Sequence, residues 1–150
     1  MLKKFASRFV PLDANNMSSR SVLYLLDTNI ASVLLDGSDV RLKKRLEATP
    51  QDFALSIVTW GELWYGARNS SRIGRNLLRL DELTRIYELI PCNKGTAEHY
   101  GVIKHKLRTQ GVIIPENDIW IAATAIQHNL ILVTHDKDFD PIEGLQREAW

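Results

Sequence analysis

Cysteine is almost missing from this chain of 150 residues: Cys92 stands alone, which excludes an internal disulfide and a cysteine-based zinc site. That economy suits a reducing compartment, and a cytoplasmic protein is expected. Long apolar runs are missing too. Nothing approaches the roughly 18 to 20 consecutive apolar residues that cross a bilayer, so no membrane span is expected. The opening stretch carries Lys3 and Lys4, but Arg8 and Pro11 interrupt it before a continuous apolar region forms, which makes a poor secretory signal. An excess of one charge is absent as well: 19 Lys and Arg against 18 Asp and Glu leave +1. Any nucleic-acid contact must therefore come from local patches. The histidines, His99, His105, His128 and His135, lack ligand-like spacing, and His99 and His105 fall on different helix faces, so zinc is not the expected ion.

What is present is the material for one core. With 45% hydrophobic and 25% charged residues, the chain is long enough for one full domain and short for two. Residues 1–21 are polar and turn-prone towards their end and are expected to form a loose extension, with Met17 as an alternative start. The domain then occupies residues 22–150.

Its first firm element is the apolar run from Val22 to Leu26, the pattern of a strand buried on both faces, and Asp27, Thr28 and Asn29 follow as strand-end and helix-cap chemistry. Ile30, Val33 and Leu34 recur at helical spacing up to Gly37, and a more polar helix is expected over 39–48 before Pro50. Phe53 to Ser56 reads as a strand. Thr59 to Asn69 reads as a helix with Trp60, Leu63, Trp64 and Ala67 on one face, and Thr59 with Glu62 fits a capping box. Arg72 to Ile86 continues as an amphipathic helix, and Tyr87 to Ile90 is a third strand. Ala97, Tyr100, Ile103 and Leu107 mark a helix closed by Gly111; the segment from Gly111 to Glu116 stays unassigned between strand and buried loop. Asn117 opens a last helix, and Leu130 to Thr134 is a fourth strand that delivers His135 and Asp136. Such alternation argues for a three-layer α/β/α sandwich around a mainly parallel sheet.

Four carboxylates stand out once that alternation is laid down. Singly, each has an ordinary explanation: Asp27 caps a helix, Glu62 closes a capping box, Asp118 sits in a first helical turn, and Asp136 makes an Asx turn. Jointly they are less ordinary. Asp27 and Asp136 both follow the carboxyl ends of apolar strands, and Glu62 lies one turn into a helix after another, so an open parallel sheet gathers them at one edge. Asp118 joins them if its helix points its N-terminus there. Carboxylates crowded in this way repel one another unless a cation offsets the charge. Oxygen-only donors suit Mg2+ or Mn2+.

The chain resembles the PIN-domain nucleases, and among them the VapC-type toxins of toxin–antitoxin systems. The segments that carry the resemblance are Leu26 to Ile30; Ser56 to Thr59 with Glu62, Leu63 and Gly66; Asn117 to Ala123; and Leu132 to Thr134 with Asp136, Phe139, Gly144, Leu145 and Trp150. It covers residues 22–150, with the motifs in order. The resemblance implies an α/β/α domain that cuts RNA with Mg2+ or Mn2+, often a transfer RNA or a ribosomal RNA loop, that forms homodimers and is silenced by a cognate antitoxin. It places Asp27, Glu62, Asp118 and Asp136 on the family's acidic quartet, and Asn29 and Thr134 on the polar positions that support it. Two features depart from the family: the extension before Val22, and Glu116 in place of a small residue ahead of Asn117. Glu116 is expected to be a solvated loop residue.

An acidic site repels RNA, so basic residues on its rim must guide the substrate; Arg68, Arg72, Arg75, Lys104 and Lys106 are the candidates, with solvated helix faces as the plain alternative. Trp60 and Trp64 form either part of the core, which is the expectation, or an apolar ridge towards an antitoxin or a second copy. Two rival functions stay open. An aspartyl-phosphate phosphotransferase would use Asp27 after its strand but wants a second Asp where Asn29 stands. The other is a non-catalytic RNA-binding or interaction module of the same fold.

Overall fold

The structure, a computed structural model, describes residues 22–150; the expected extension 1–21 and the alternative start at Met17 lie outside the described residues. In chain order the elements are β1 (Tyr24–Leu26), α1 (Thr28–Asp36), α2 (Val40–Ala48), β2 (Phe53–Ser56), α3 (Ile57–Arg68), α4 (Ile73–Ile86), β3 (Glu88–Ile90), α5 (Lys94–Thr109), α6 (Glu116–Gln127), β4 (Ile131–Val133) and β5 (Arg147–Glu148). The strands form one sheet in the order β3-β2-β1-β4-β5, and every neighbouring pair is parallel.

Alternate strand residues face opposite layers, which is why the strands read as continuous apolar runs. Leu25, Ala54 and Leu132 pack with Ile103, Leu107, Ile119 and Ala122 beneath α5 and α6. Leu26, Phe53, Leu55 and Val133 pack with Ile30, Leu42, Leu63 and Leu80 beneath α1 to α4. Leu25, Leu26 and Leu132 are fully buried, and truncating one to Ala costs about 2–5 kcal/mol. The C-terminal Trp150 closes the second layer: its ring meets Tyr24 and Phe53 edge-on, and the Arg45 guanidinium lies 3.5 Å over its centroid.

Several boundaries differ from expectation for local reasons. Helix α3 begins at Ile57, directly after β2, because the Ser56 hydroxyl accepts the Thr59 N–H at 2.9 Å. Thr59 is therefore an interior, fully buried residue rather than a cap, and Glu62 closes no capping box. Helix α6 begins at Glu116 after Pro115, with Asn117 already inside its first turn and Glu116 helical rather than in a loop. Residues 112–115 form no strand: Ile114 is buried and anchors the loop while Ile113 points outward. Gly111 adopts φ 71° just beyond α5, the left-handed conformation that its place at the helix end requires. Strand β5, two residues at the sheet edge, carries no apolar pattern from which it could be read. Trp60 packs against the core, but Trp64 is 41% exposed, so the aromatic pair is only half interior. No described helix is long and apolar enough to cross a membrane.

Candidate active site

The sheet order puts β2 on one side of central β1 and β4 on the other, so the chain switches direction between β1 and β4 at their carboxyl ends. Open α/β sheets form crevices at such a switch. Asp27 leaves β1 there and Thr134 leaves β4 beside it; Asp27 N–H donates to Val133 O at 3.1 Å, which locks the two strand ends together.

Asp27 is buried, at 3% exposure. One carboxylate oxygen accepts the Thr28 N–H at 2.6 Å, capping α1, and the other accepts the Thr134 hydroxyl at 2.8 Å. The same Thr134 hydroxyl accepts the Asp136 N–H at 3.0 Å, so one buried side chain orients both acids. Burial pushes the Asp27 carboxyl above its ordinary range; the bonds from Thr134 and Thr28 oppose this, and the charges of Asp136 and Glu62 add to it.

Glu62 reaches the same edge from α3. Its Oε1 accepts from Asn117 Nδ2 at 2.9 Å, and its Oε2 accepts the Thr28 hydroxyl in a short hydrogen bond. These contacts tie α3 to the first turns of α6 and α1.

Asp118, Asp136 and Asp138 form the open part of the site, with one carboxylate oxygen of each lying within 4.8 Å of the others. Asp136 caps the 3-10 turn at 137–139 by accepting the Asp138 N–H at 2.9 Å, so its expected Asx-type role and its place in the cluster coexist. Asp118 has its pKa pushed up to about 7, first by burial and then by the charges of Asp27, Asp136, Glu62 and Asp138. Five carboxylates thus share one electrostatic neighbourhood. Their donors are all oxygen, and a half-buried acid raised this far is the mark of a site short of positive charge, a chemistry that a hard divalent cation fits.

The fold brings Asp27, Glu62, Asp118 and Asp136 to one edge with Thr134 beneath them. Asn29 is exposed on the first turn of α1, where its carbonyl accepts the Ser32 hydroxyl at 2.8 Å. Glu116 turns aside to α5, accepting from Lys104 Nζ at 2.7 Å and from the Tyr100 hydroxyl, and these bonds hold its carboxyl below the usual range. His135 is exposed beside the cluster. Three contributors escaped the sequence reading. Thr28 and Asn117 fit cap roles in the sequence, and their hydrogen bonds to Glu62 span 34 and 55 residues of it. Asp138 did carry a signal, the run of acids from Asp136 to Asp140.

Comparison with known proteins agrees with this architecture. The PIN domain family matches residues 24–145. A Haemophilus influenzae protein named Ribonuclease VapC2 is 33% identical over 128 residues, covering 85% of this chain and 97% of the relative. A Shigella flexneri protein named tRNA(fMet)-specific endonuclease VapC is 30% identical with the same coverage. Among solved structures, VapBC2 from Rickettsia felis, bound to a DNA fragment from its promoter, superposes with a TM-score of 0.79 at 31% identity, covering 85% of this chain and 98% of that one. The chain belongs to the PIN-domain family, within its VapC ribonuclease group.

Proposed function

We propose that the chain is a divalent-metal-dependent endoribonuclease and the toxin of a toxin–antitoxin pair, with Asp27, Glu62, Asp118 and Asp136 as the catalytic and metal-holding residues. The observation that carries the reading is the convergence of these carboxylates at the β1–β4 switch, with the Asp118 pKa pushed up to about 7. Asp118 and Asp136 present the open oxygens that would hold Mg2+ or Mn2+, and Asp27 and Glu62, at the same edge, would complete the donor set. When bound, the ion supplies the positive charge that acidifies a water and offsets negative charge growing on the phosphate.

The remaining work falls to the chain itself. Thr134 holds Asp27 by hydrogen bonding its inner oxygen, so the carboxylate cannot rotate away from the crevice. Thr28 and Asn117 hold Glu62 from two sides, fixing the distance between α3 and α6. In the metal-free chain Asp118, half-buried and sharing its surroundings with four other acids, keeps its proton up to about pH 7, and binding of a cation would release it.

Relatives named as ribonucleases support RNA as the substrate, and the name of the Shigella flexneri relative makes a tRNA pool the substrate to assay first. The VapBC complexes among the structural neighbours support a cognate antitoxin as partner; the homodimer rests on the family resemblance alone. The test is cleavage of purified tRNA and of total RNA with Mn2+, with excess EDTA, and by Asp27→Asn. Cleavage by the wild type that EDTA and the substitution both abolish, with circular dichroism unchanged, is expected. Undiminished Mn2+-dependent cutting by the purified variant would sink the site assignment.

A further inference from the structure

The five cations that the sequence offers as guides for RNA are not equivalent. Lys104 lies 2.7 Å from Glu116 and 2.9 Å from the Tyr100 hydroxyl, and Lys106 lies 2.8 Å from Glu143, so the positive charges of α5 are already matched. Arg68, Arg72 and Arg75 are exposed at the end of α3 and the start of α4, and among the described residues none of them has a carboxylate partner.

Their positions continue the site. Arg68 stands six residues beyond Glu62 on α3, about 9 Å of helical rise. Arg72 immediately precedes α4, and Arg75 and Arg79 lie four residues apart within it, on one face. Arg79 alone turns inward, donating to the Leu35 carbonyl in the last turn of α1, the helix that Asp27 caps at its other end, while Arg72 and Arg75 stay exposed. Midway along α3 between Glu62 and Arg68 stands Tyr65, 72% exposed. Residues three apart on a helix are surface neighbours. Gly66, next to it, has open space where a side chain would stand.

On the ribonuclease reading, we propose that the RNA strand flanking the scissile phosphate runs along α3 and α4, with its phosphates on Arg68, Arg72 and Arg75 and a base stacked on Tyr65, rather than along α5. Unpaired arginines along the helix that carries Glu62 and the helix after it supply the attraction that the carboxylates deny to a polyanion. An exposed aromatic ring between them offers a stacking surface that tolerates any base.

The test is fluorescence anisotropy of a labelled, mixed-sequence RNA oligonucleotide with the full chain in EDTA, where no strand is cut, across a range of salt. R68A/R72A/R75A is expected to weaken binding about tenfold or more at low salt and to flatten the plot of log K against log salt by about 2, at roughly 0.7 per lost phosphate contact. Tyr65→Ala is expected to weaken binding roughly tenfold, and Tyr65→Phe to restore it, because the ring rather than the hydroxyl does the stacking. Lys104→Ala and Lys106→Ala should stay within about twofold of wild type.

Equal losses on both flanks, or a larger loss on α5, would overturn the proposal. So would a triple variant that binds RNA normally but loses an acidic peptide, which would assign the arginines to a protein partner. The two readings fail separately. A wild type that binds with this asymmetry yet cuts no RNA with Mn2+ supports the surface and ends the ribonuclease reading; a wild type that cuts, with a triple variant that binds and cuts as well, ends only the surface.

Discussion

The acidic edge has two halves that differ in how they are held. Asp27 and Glu62 are anchored: each carboxylate oxygen of both residues accepts a hydrogen bond, from Thr28 and Thr134 in one case and from Thr28 and Asn117 in the other. Asp118, Asp136 and Asp138 form the open half, close together and more exposed. In the anchored half Asp27 uses its charge twice, as the cap of α1 and as a member of the cluster. In the open half Asp118 registers both its burial, the larger cause, and the charge of the other four acids. The difference teaches which residues set the geometry and which leave an electrostatic deficit for a cation to fill.

Substitutions can break this division. Asp118→Asn should separate chemistry from stability most sharply. Loss of a direct ligand is expected to lower cleavage about a thousandfold, the scale of several kcal/mol of charge stabilisation. The same change should raise the stability of the metal-free protein at slightly alkaline pH by roughly 1–2 kcal/mol, once solvent screening of a half-buried group is allowed for. RNA cleavage and urea titration measure the two effects. In the anchored half the signs should agree instead: Thr134→Val leaves buried Asp27 short of a donor, with a loss of about 1–3 kcal/mol in stability and about 10–100-fold in metal affinity or activity.

Acidity sharpens the contrast further. The Asp118 pKa is about 7 in the folded chain against 3.8 for the ordinary side chain. Between those values the unfolded chain has lost a proton that the folded chain keeps, so this group's contribution to stability is greatest at the acid end and falls as pH rises to about 7. The Tm of metal-free Asp118→Asn should therefore decline less than that of wild type across this window, and saturating Mn2+ should flatten the wild-type curve. The smallest effect is expected at Asp138, the exposed member of the open half: Asp138→Asn should weaken Mn2+ binding by no more than about tenfold, measured by calorimetry.

Much of this arrangement could be read from the order of residues alone. Apolar runs ending in Asp27 and in Thr134 with Asp136 mark parallel strands delivering polar groups to one edge, because strands buried on both faces leave no other pattern. What escaped was whatever depends on contacts across the fold. The start of α3 moved to Ile57 because Ser56 reaches the Thr59 N–H, and two residues capable of capping within four positions cannot be ranked without the backbone. Asn117 was read as a cap, and only the packing of α6 against α3 turns its amide to Glu62. Glu116 is exposed, as its residue type suggests, but only the adjacency of α5 supplies Lys104 and Tyr100 as its partners. The same adjacency, invisible in a charge total of +1, divides the rim cations into matched and unmatched sets.

The central claim, that these carboxylates form a cation site whose open half lacks positive charge, is tested most directly by calorimetric titration of Mn2+ into wild type and Asp118→Asn across neutral pH. The account predicts saturable binding to wild type that strengthens as pH rises through about 7, where Asp118 gives up its proton, and binding to the variant that is far weaker and loses this pH dependence. Equal affinity in the two proteins, unchanged across that range, would contradict it.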